Sequence, residues 1–216
     1  MKERTENHEA ELQESNCNEN QVIEKNELNK KEKFFTLDKI VKIAMFIAVA
    51  VLLLLLEFPI LISAPYLKLN FSDMPALIIT FMYGPIEGII VEIIKVCLSM
   101  LFGISKDIPI GDLGNVILGI AYILPAGLIY RKHKGIKSAI VSLVVSSIVM
   151  VITMVFTNVY ILMPLYGIPI ETRWATALTA ILPFNLIKGF GTSFLTFFVY
   201  KPLHRLINKI NIGVRK

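Results

Sequence analysis

After residue 33, the chain consists mainly of long apolar runs separated by short segments that contain proline, glycine or charged residues. An α-helix needs about 20 apolar residues to cross the hydrocarbon core of a bilayer. Most of the runs approach that length, and proline, glycine and aspartate mark their ends. The pattern predicts six helices, over residues 37–57, 75–83, 85–102, 113–130, 136–162 and 177–200. We therefore expect an all-α, polytopic membrane protein with six transmembrane helices.

Two segments differ in composition from the predicted helices. Residues 1–33 are rich in Glu, Asn and Lys and contain almost no apolar cluster, so we expect a disordered cytoplasmic tail. Residues 58–73, FPILISAPYLKLNFSD, are too irregular for a spanning helix and too apolar for an exposed loop. Such a segment can lie over a cavity and be buried in protein. We predict a transmembrane domain at residues 34–210, a long outer loop between helices 1 and 2, and a cytoplasmic end at residues 211–216.

The positions of lysine and arginine predict the orientation of the helices. The connection RKHKGIK at residues 131–137, the stretch after residue 200 and the approach to helix 1 are all basic, whereas the opposite loops carry few cations. With six spans, these three basic regions lie on one side, which is cytoplasmic by the positive-inside rule. Both termini are therefore expected in the cytoplasm.

The composition of the chain favours a membrane protein and argues against several other classes of protein. The chain is 55% hydrophobic, with a mean hydropathy of +0.64. The net charge of +5 comes from basic residues at helix ends, so no nucleic-acid partner is expected. Cys17 and Cys97 lie in the tail and inside a helix, so a disulfide framework is not expected. The sequence has no nucleophile–base set, no His-rich constellation and no G-x-x-x-x-G-K-S/T loop, so we expect no enzyme, no metal site and no ATPase of its own.

Two lysines, Lys95 and Lys188, lie deep inside predicted spans. A charge in hydrocarbon is costly unless it faces a partner or a wet cavity, so each lysine is a candidate functional residue. Asn185 and Lys188 are i and i+3, and therefore share one helical face. At about 1.5 Å rise per residue, six polar groups from five helices lie between the outer surface and the midplane. They are Asp73, Lys95, Asn115, Asn158, Asn185 and Lys188. We predict a ligand cavity open to the outside under the long loop.

Structural roles are the alternative for the same residues. Lys188 could form an ion pair with Glu92 or Asp73, and Glu92 and Lys95, at i and i+3, could neutralise each other. Asp73, followed by a proline at the second position, is also expected to cap helix 2. Each asparagine could bridge helices rather than contact a ligand.

Small residues mark one face of helix 1. Ala44 and Ala48 are four residues apart, a spacing that lets another helix approach closely. Alanine is common in membrane spans, so the spacing alone also fits ordinary lipid contact.

Several strings together resemble a known family. They are LKLNFSDMPALIITFMYGPIEGIIVEIIK, GNVILG, TNVYILMPLYG and ILPFNLIKG, in this order and within residues 37–205. They closely resemble the riboflavin-specific substrate-binding (S) component of energy-coupling factor (ECF) transporters.

The resemblance implies six helices that bind riboflavin, and in some members FMN, from outside, with the first outer loop as a lid. It implies a transmembrane coupling protein and two ATPase subunits as partners in a bacterial cell membrane, with Ala44 and Ala48 as the docking face. Asn158, Asn185 and Lys188 match positions that line the flavin pocket. Asn115, Lys95 and Asp73 match the surrounding pattern, and Leu67 of the lid loop completes the candidate substrate-binding residues. The alternatives are an S component for another vitamin and a stand-alone or gradient-driven transporter.

Overall fold

A computed structural model describes residues 37–60, 67–104 and 109–213, with side chains described up to residue 202. The predicted tail at residues 1–33 lies outside the described residues, as do residues 214–216 of the predicted C-terminal end. The chain divides within its first helix into two units, residues 1–42 and 43–216. The packing described below belongs to the second unit.

Helices make up most of the described part of the chain. In chain order the elements are α1 (Leu37–Leu55), β1 (Phe58–Pro59), β2 (Lys68–Leu69), α2 (Met74–Met82), α3 (Pro85–Leu101), α4 (Ile110–Lys132), α5 (Ile136–Thr157), π1 (Asn158–Leu162), α6 (Met163–Leu165), α7 (Ile170–Thr176), π2 (Ala177–Ile181) and α8 (Leu182–Gly213). The run α5–π1–α6 is continuous, and so is the run α7–π2–α8. The described residues therefore form six helical rods, each of which corresponds to one predicted helix.

The sixth rod differs most from its prediction, because it begins at Ile170 and continues to Gly213. Its first turns contain Glu171, Thr172 and Arg173, and these polar residues concealed the helix from an apolar-run criterion. At the other end, Pro202 lies inside the helix, where it removes one backbone hydrogen bond without ending the rod.

Three of the rods in the described part are long and apolar enough to cross a membrane, namely Ile110–Lys132, Ile136–Leu165 and Ile170–Pro202. Helix α2 has 9 residues and is about 14 Å long, so it cannot cross a hydrocarbon core of about 30 Å by itself. Its end is set by Gly84, whose φ of 133° lets the chain turn directly into Pro85 at the start of α3. The count of six membrane crossings therefore stays a prediction.

Helix α2 is enclosed within the bundle. Every residue from Pro75 to Phe81 is buried, and the helix packs against α3, α4 and α8. A helix that is apolar on all sides is stable only when it is enclosed by other elements. The enclosure places the start of α2, at Asp73, among the neighbouring helices rather than at the protein surface.

Two local features were not predicted. A short antiparallel pair joins Phe58 to Leu69 and Pro59 to Lys68 in the loop between α1 and α2. The π-helical segments π1 and π2 interrupt two rods and pack against each other through an apolar cluster that includes Val159. Single π turns inside α-helices recur at functional sites, since they change the direction of nearby side chains and backbone groups.

Candidate functional site

A cavity opens at the end of the bundle where α1 ends and α2 begins. Its polar lining consists of Glu57, Lys68, Asn70, Asn115, Asn158, Asn185 and Lys188. Its larger apolar and aromatic lining residues are Leu67, Leu118, Met154, Leu162, Tyr166 and Phe184. A concave site with apolar walls and a few convergent polar groups is typical of small-molecule binding.

The stem of the first loop forms one polar wall. Side chains alternate along a strand, so Lys68 and Asn70 face the same side, and the register places Glu57 opposite Asn70. Lys68 Nζ lies 2.5 Å from Glu57 Oε1, and each side chain is about a quarter exposed. The pair ties the end of α1 to β2 at the cavity.

Two asparagines reach the cavity beside the π-helical segments. Asn158 is the first residue of π1, and Asn185 follows π2 by one turn. Each amide donates to the carbonyl four residues earlier, at 2.8 Å from Asn158 Nδ2 to Met154 O and 2.9 Å from Asn185 Nδ2 to Ile181 O.

The oxygen of the Asn185 amide is available to a ligand. This Oδ1 atom is buried and has no hydrogen-bond partner among the described residues. An unpaired buried acceptor costs free energy, so this atom marks a place that a hydrogen-bond donor of a ligand would fill.

Four buried charges lie behind the cavity. Lys95 Nζ lies 2.6 Å from Asp73 Oδ1 and 2.6 Å from Glu92 Oε1. Lys188 Nζ lies 3.2 Å from Asp73 Oδ2. All four side chains are at most 4% exposed. We call these two lysines and two carboxylates the charge cluster.

The charge cluster contains both ion pairs that the sequence offered as alternatives, Lys188 with Asp73 and Lys95 with Glu92. It also corrects the expected helix cap. Asp73 is at the N-cap position of α2, but its side chain makes no cap hydrogen bond. Two buried ammonium groups at the same carboxylate outcompete a backbone N–H, since hydrogen bonds between charged groups are the stronger ones.

The structure divides the predicted site residues into three groups. Leu67, Asn115, Asn158, Asn185 and Lys188 line the cavity. The other two, Asp73 and Lys95, belong to the charge cluster and lie outside the cavity lining. The proposed docking alanines, Ala44 and Ala48, are exposed on α1.

The polar stem, formed by Glu57, Lys68 and Asn70, was not among the predicted site residues. A usable signal exists for two of them, because Glu57 and Lys68 are lone opposite charges on either side of an otherwise apolar loop. The aromatic side chains of Tyr166 and Phe184 carry no such signal, since aromatic residues are frequent throughout the chain.

A polar network lies deeper in the bundle. Tyr122 Oη donates to Gly189 O at 2.6 Å and contacts Ser193 Oγ at 2.6 Å. Ser147 Oγ lies 2.8 Å from Ser193 Oγ. The three side chains connect α4, α5 and α8 just beyond Lys188, so they fix the part of α8 that presents Asn185 and Lys188 to the cavity.

Comparison with known proteins identifies the family. The family model for the substrate-specific component of ECF transporters matches residues 38–200. The chain belongs to this family. It is therefore a component of a transporter rather than a member of an enzyme family, and the resemblance seen in the sequence is confirmed.

Known relatives of this S component cover most of its length. Riboflavin transporter RibU of Staphylococcus aureus (strain TCH60) is 35% identical over 178 residues, which cover 80% of this chain and 93% of the relative. Riboflavin transporter FmnP of Bacillus subtilis (strain 168) is 37% identical over 159 residues, which cover 70% and 84%. A solved structure of the S component of a bacterial ECF transporter matches with a TM-score of 0.70 at 36% identity, over 79% of this chain and 97% of that one. With its long apolar helices, this S component is a multi-pass protein of the bacterial cell membrane.

The charge cluster predicts a large stability effect at Asp73. Replacing Asp73 with Asn leaves two buried ammonium groups, Lys95 and Lys188, with the Glu92 carboxylate as the one remaining negative charge of the cluster. Breaking a buried ion pair in this way costs about 3–5 kcal/mol. The matched control is Glu57→Gln, which removes a carboxylate from a partly exposed pair worth about 0–1 kcal/mol. Unfolding in detergent, followed by circular dichroism against temperature and denaturant, measures both. Equal losses of stability in the two variants would contradict the role of the charge cluster.

Proposed function

We propose that this S component binds riboflavin from the outer side of the membrane and delivers it as the substrate-specific subunit of an ATP-driven ECF importer. The observation that carries the proposal is the pairing of Asn185 and Lys188 on one face of α8 at the cavity. Their spacing presents a free carbonyl acceptor beside an ammonium donor. The riboflavin transporters from Staphylococcus aureus and Bacillus subtilis, at 35% and 37% identity, support the same ligand.

The chemistry of the flavin fits these two groups. The pyrimidine edge of the isoalloxazine ring presents an N–H donor between two carbonyl acceptors. Asn185 Oδ1 would accept from the ring N–H, and the Lys188 ammonium would donate to a neighbouring carbonyl. Asn115 and Asn158, which also line the cavity, would add further amide contacts.

The remaining walls suit the other two parts of the ligand. Leu118, Met154 and Phe184 provide apolar surface for the flat dimethylbenzene end, together with Leu67. Lys68 of the stem, like its neighbours Glu57 and Asn70, offers polar groups for the ribityl hydroxyls. FMN, which adds a phosphate to the same ribityl chain, is a second candidate ligand for the cavity.

The proposed orientation of the bundle would make the cavity accessible from outside. Helix α4 runs from the cavity, near Asn115, to the basic pair Arg131 and Lys132. We place this basic end in the cytoplasm by the positive-inside rule, with six rods crossing the membrane and both termini cytoplasmic. The cavity then opens at the opposite, outer face, and residues 34–210 form the substrate-binding domain.

Energy for transport would come from partners. The sequence contains no phosphate-binding loop of the G-x-x-x-x-G-K-S/T type, so we propose a transmembrane coupling protein and two ATPase subunits as the other parts of the importer. Ala44 and Ala48 are exposed on α1 and would form the face that packs against the coupling protein.

The test of the function is a riboflavin titration of the purified chain in detergent, without any ATPase subunit. Stacking against aromatic side chains should quench the flavin fluorescence, and the quenching should saturate at one riboflavin per protein. Thiamine and biotin serve as competitors that should leave the signal unchanged, whereas FMN should compete. Absence of quenching at micromolar protein would refute riboflavin as the ligand, and displacement by another vitamin would identify the alternative substrate.

The cavity lining predicts the effect of Asn185→Ala. Removing the amide leaves a ligand N–H unpaired and should weaken riboflavin binding by about 1–3 kcal/mol. Thr192→Val is the matched control, because it removes a buried hydroxyl of α8 that has no hydrogen-bond partner among the described residues and does not line the cavity. Calorimetric titration measures both affinities. If Thr192→Val weakens binding as much as Asn185→Ala, the effect reflects the packing of α8 and not a ligand contact.

The docking face predicts a separation of binding from transport. Ala44→Trp with Ala48→Trp should leave riboflavin binding by the isolated chain intact, because neither alanine lines the cavity. It should abolish co-purification with the coupling protein and ATP-dependent uptake, since bulky side chains prevent close helix approach. Met45→Trp with Val49→Trp has the same spacing, also at exposed positions of α1, but lies about 100° around the helix. Uptake that survives in the variant with Ala44→Trp and Ala48→Trp would contradict this face as the docking site. Equal loss of uptake in both double variants would contradict it as well.

A further inference from the structure

We infer that Glu92 is a positioning residue for substrate binding, which acts by balancing the charges around Lys188 although it does not reach the cavity. The inference rests on the proposed function, because it concerns how the lysine that would donate to riboflavin is placed. Its basis is the geometry of the charge cluster and the close packing of α4 around Glu92.

The two lysines of the charge cluster have different surroundings. Lys95 Nζ donates to Ser72 Oγ at 3.1 Å and to Asp73 Oδ1 at 2.6 Å, and lies 2.6 Å from Glu92 Oε1. Lys95 therefore has two hydrogen-bond acceptors and a second carboxylate within ion-pair distance, all of them inside the bundle.

Lys188 is held less tightly. Among the described residues its one carboxylate within ion-pair distance is Asp73, at 3.2 Å, and Lys188 alone of the four charges also lines the cavity. Lys188 is therefore the member of the charge cluster that can serve a ligand, and the other three determine where its ammonium lies.

Charge balance explains why Glu92 matters at a distance. With both carboxylates ionised, two positive and two negative charges are buried together and the formal charges of the charge cluster sum to zero. Without the Glu92 charge, Asp73 would face two ammonium groups alone. The Asp73 carboxylate would stay with Lys95, its closer partner. Repulsion between the two ammonium groups would then displace Lys188, whose contact with Asp73 is longer.

The packing of α4 shows that the position of Glu92 is tightly defined. Glu92 is completely buried, and its carboxylate lies against the backbone of α4 at Gly119. A Cβ at Gly119 would lie 2.2 Å from Glu92 Cγ and 2.5 Å from Glu92 Cδ, which no side-chain contact tolerates. The absence of a side chain at this one position lets Glu92 reach Lys95, so Gly119→Ala should move Glu92 without removing any charge.

A double-mutant cycle between Glu92→Gln and Lys188→Met tests the inference, with riboflavin affinity as the readout. We expect Glu92→Gln to weaken binding about tenfold when Lys188 is present. In the Lys188→Met background, Glu92→Gln should change the affinity less than about threefold, because no ammonium remains to be displaced. The double variant is again neutral, with Asp73 facing Lys95, so it should be at least as stable as either single variant.

A second cycle uses Gly119→Ala in place of Glu92→Gln, so that Glu92 is moved but no charge is altered. This cycle tests the inference if the Glu92→Gln variant does not fold. Gly119→Ala should also weaken binding with Lys188 present and have little effect in Lys188→Met. Gly191→Ala is the control, since a Cβ there would make only an ordinary contact, 3.5 Å from Phe71 Cε1. An equal loss of affinity in both backgrounds, or no loss when Lys188 is present, overturns the role of Glu92. Failure of the unmodified chain to bind riboflavin would overturn the proposed function itself, and this inference with it.

Discussion

The Asp73 carboxylate, shared between Lys95 and Lys188, is the interaction on which the site depends. Each lysine is buried where an unpaired charge would cost several kcal/mol. The Asp73 carboxylate forms an ion pair with both lysines, and Glu92 forms a second ion pair with Lys95. Asp73 can do so because α2 is short and enclosed, which places its N-cap residue among the neighbouring helices instead of at the surface. The same carboxylate joins the start of α2 to α3 and α8, so the core of the bundle and the wall of the cavity share one set of contacts.

The cavity combines rigid and polar elements in a way that suits a small, flat, mostly apolar ligand. Asn158 and Asn185 are each anchored by one hydrogen bond to their own helix, and they lie beside the two π-helical segments that pack together. An anchored amide loses little side-chain entropy when a ligand binds, which lowers the cost of association. The polar stem at Glu57 and Lys68 is more exposed than these two asparagines.

Separate parts of the chain would serve binding and assembly. The cavity involves the loop stem, α4, the π1 region and α8, whereas Ala44 and Ala48 lie exposed on α1.

The sequence by itself determined the helical rods, the family and the candidate polar residues. Long apolar runs ended by Pro85 or Gly84 define helices through local chemistry alone, and a lysine inside such a run signals a special environment wherever it lies. It could not determine which of these residues line the cavity. Lys95 and Lys188 have the same sequence signal, yet Lys95 contacts three polar side chains inside the bundle and Lys188 borders the cavity. That difference arises from distances between α2, α3 and α8, set by packing at positions such as Gly119, and only the tertiary structure decides it.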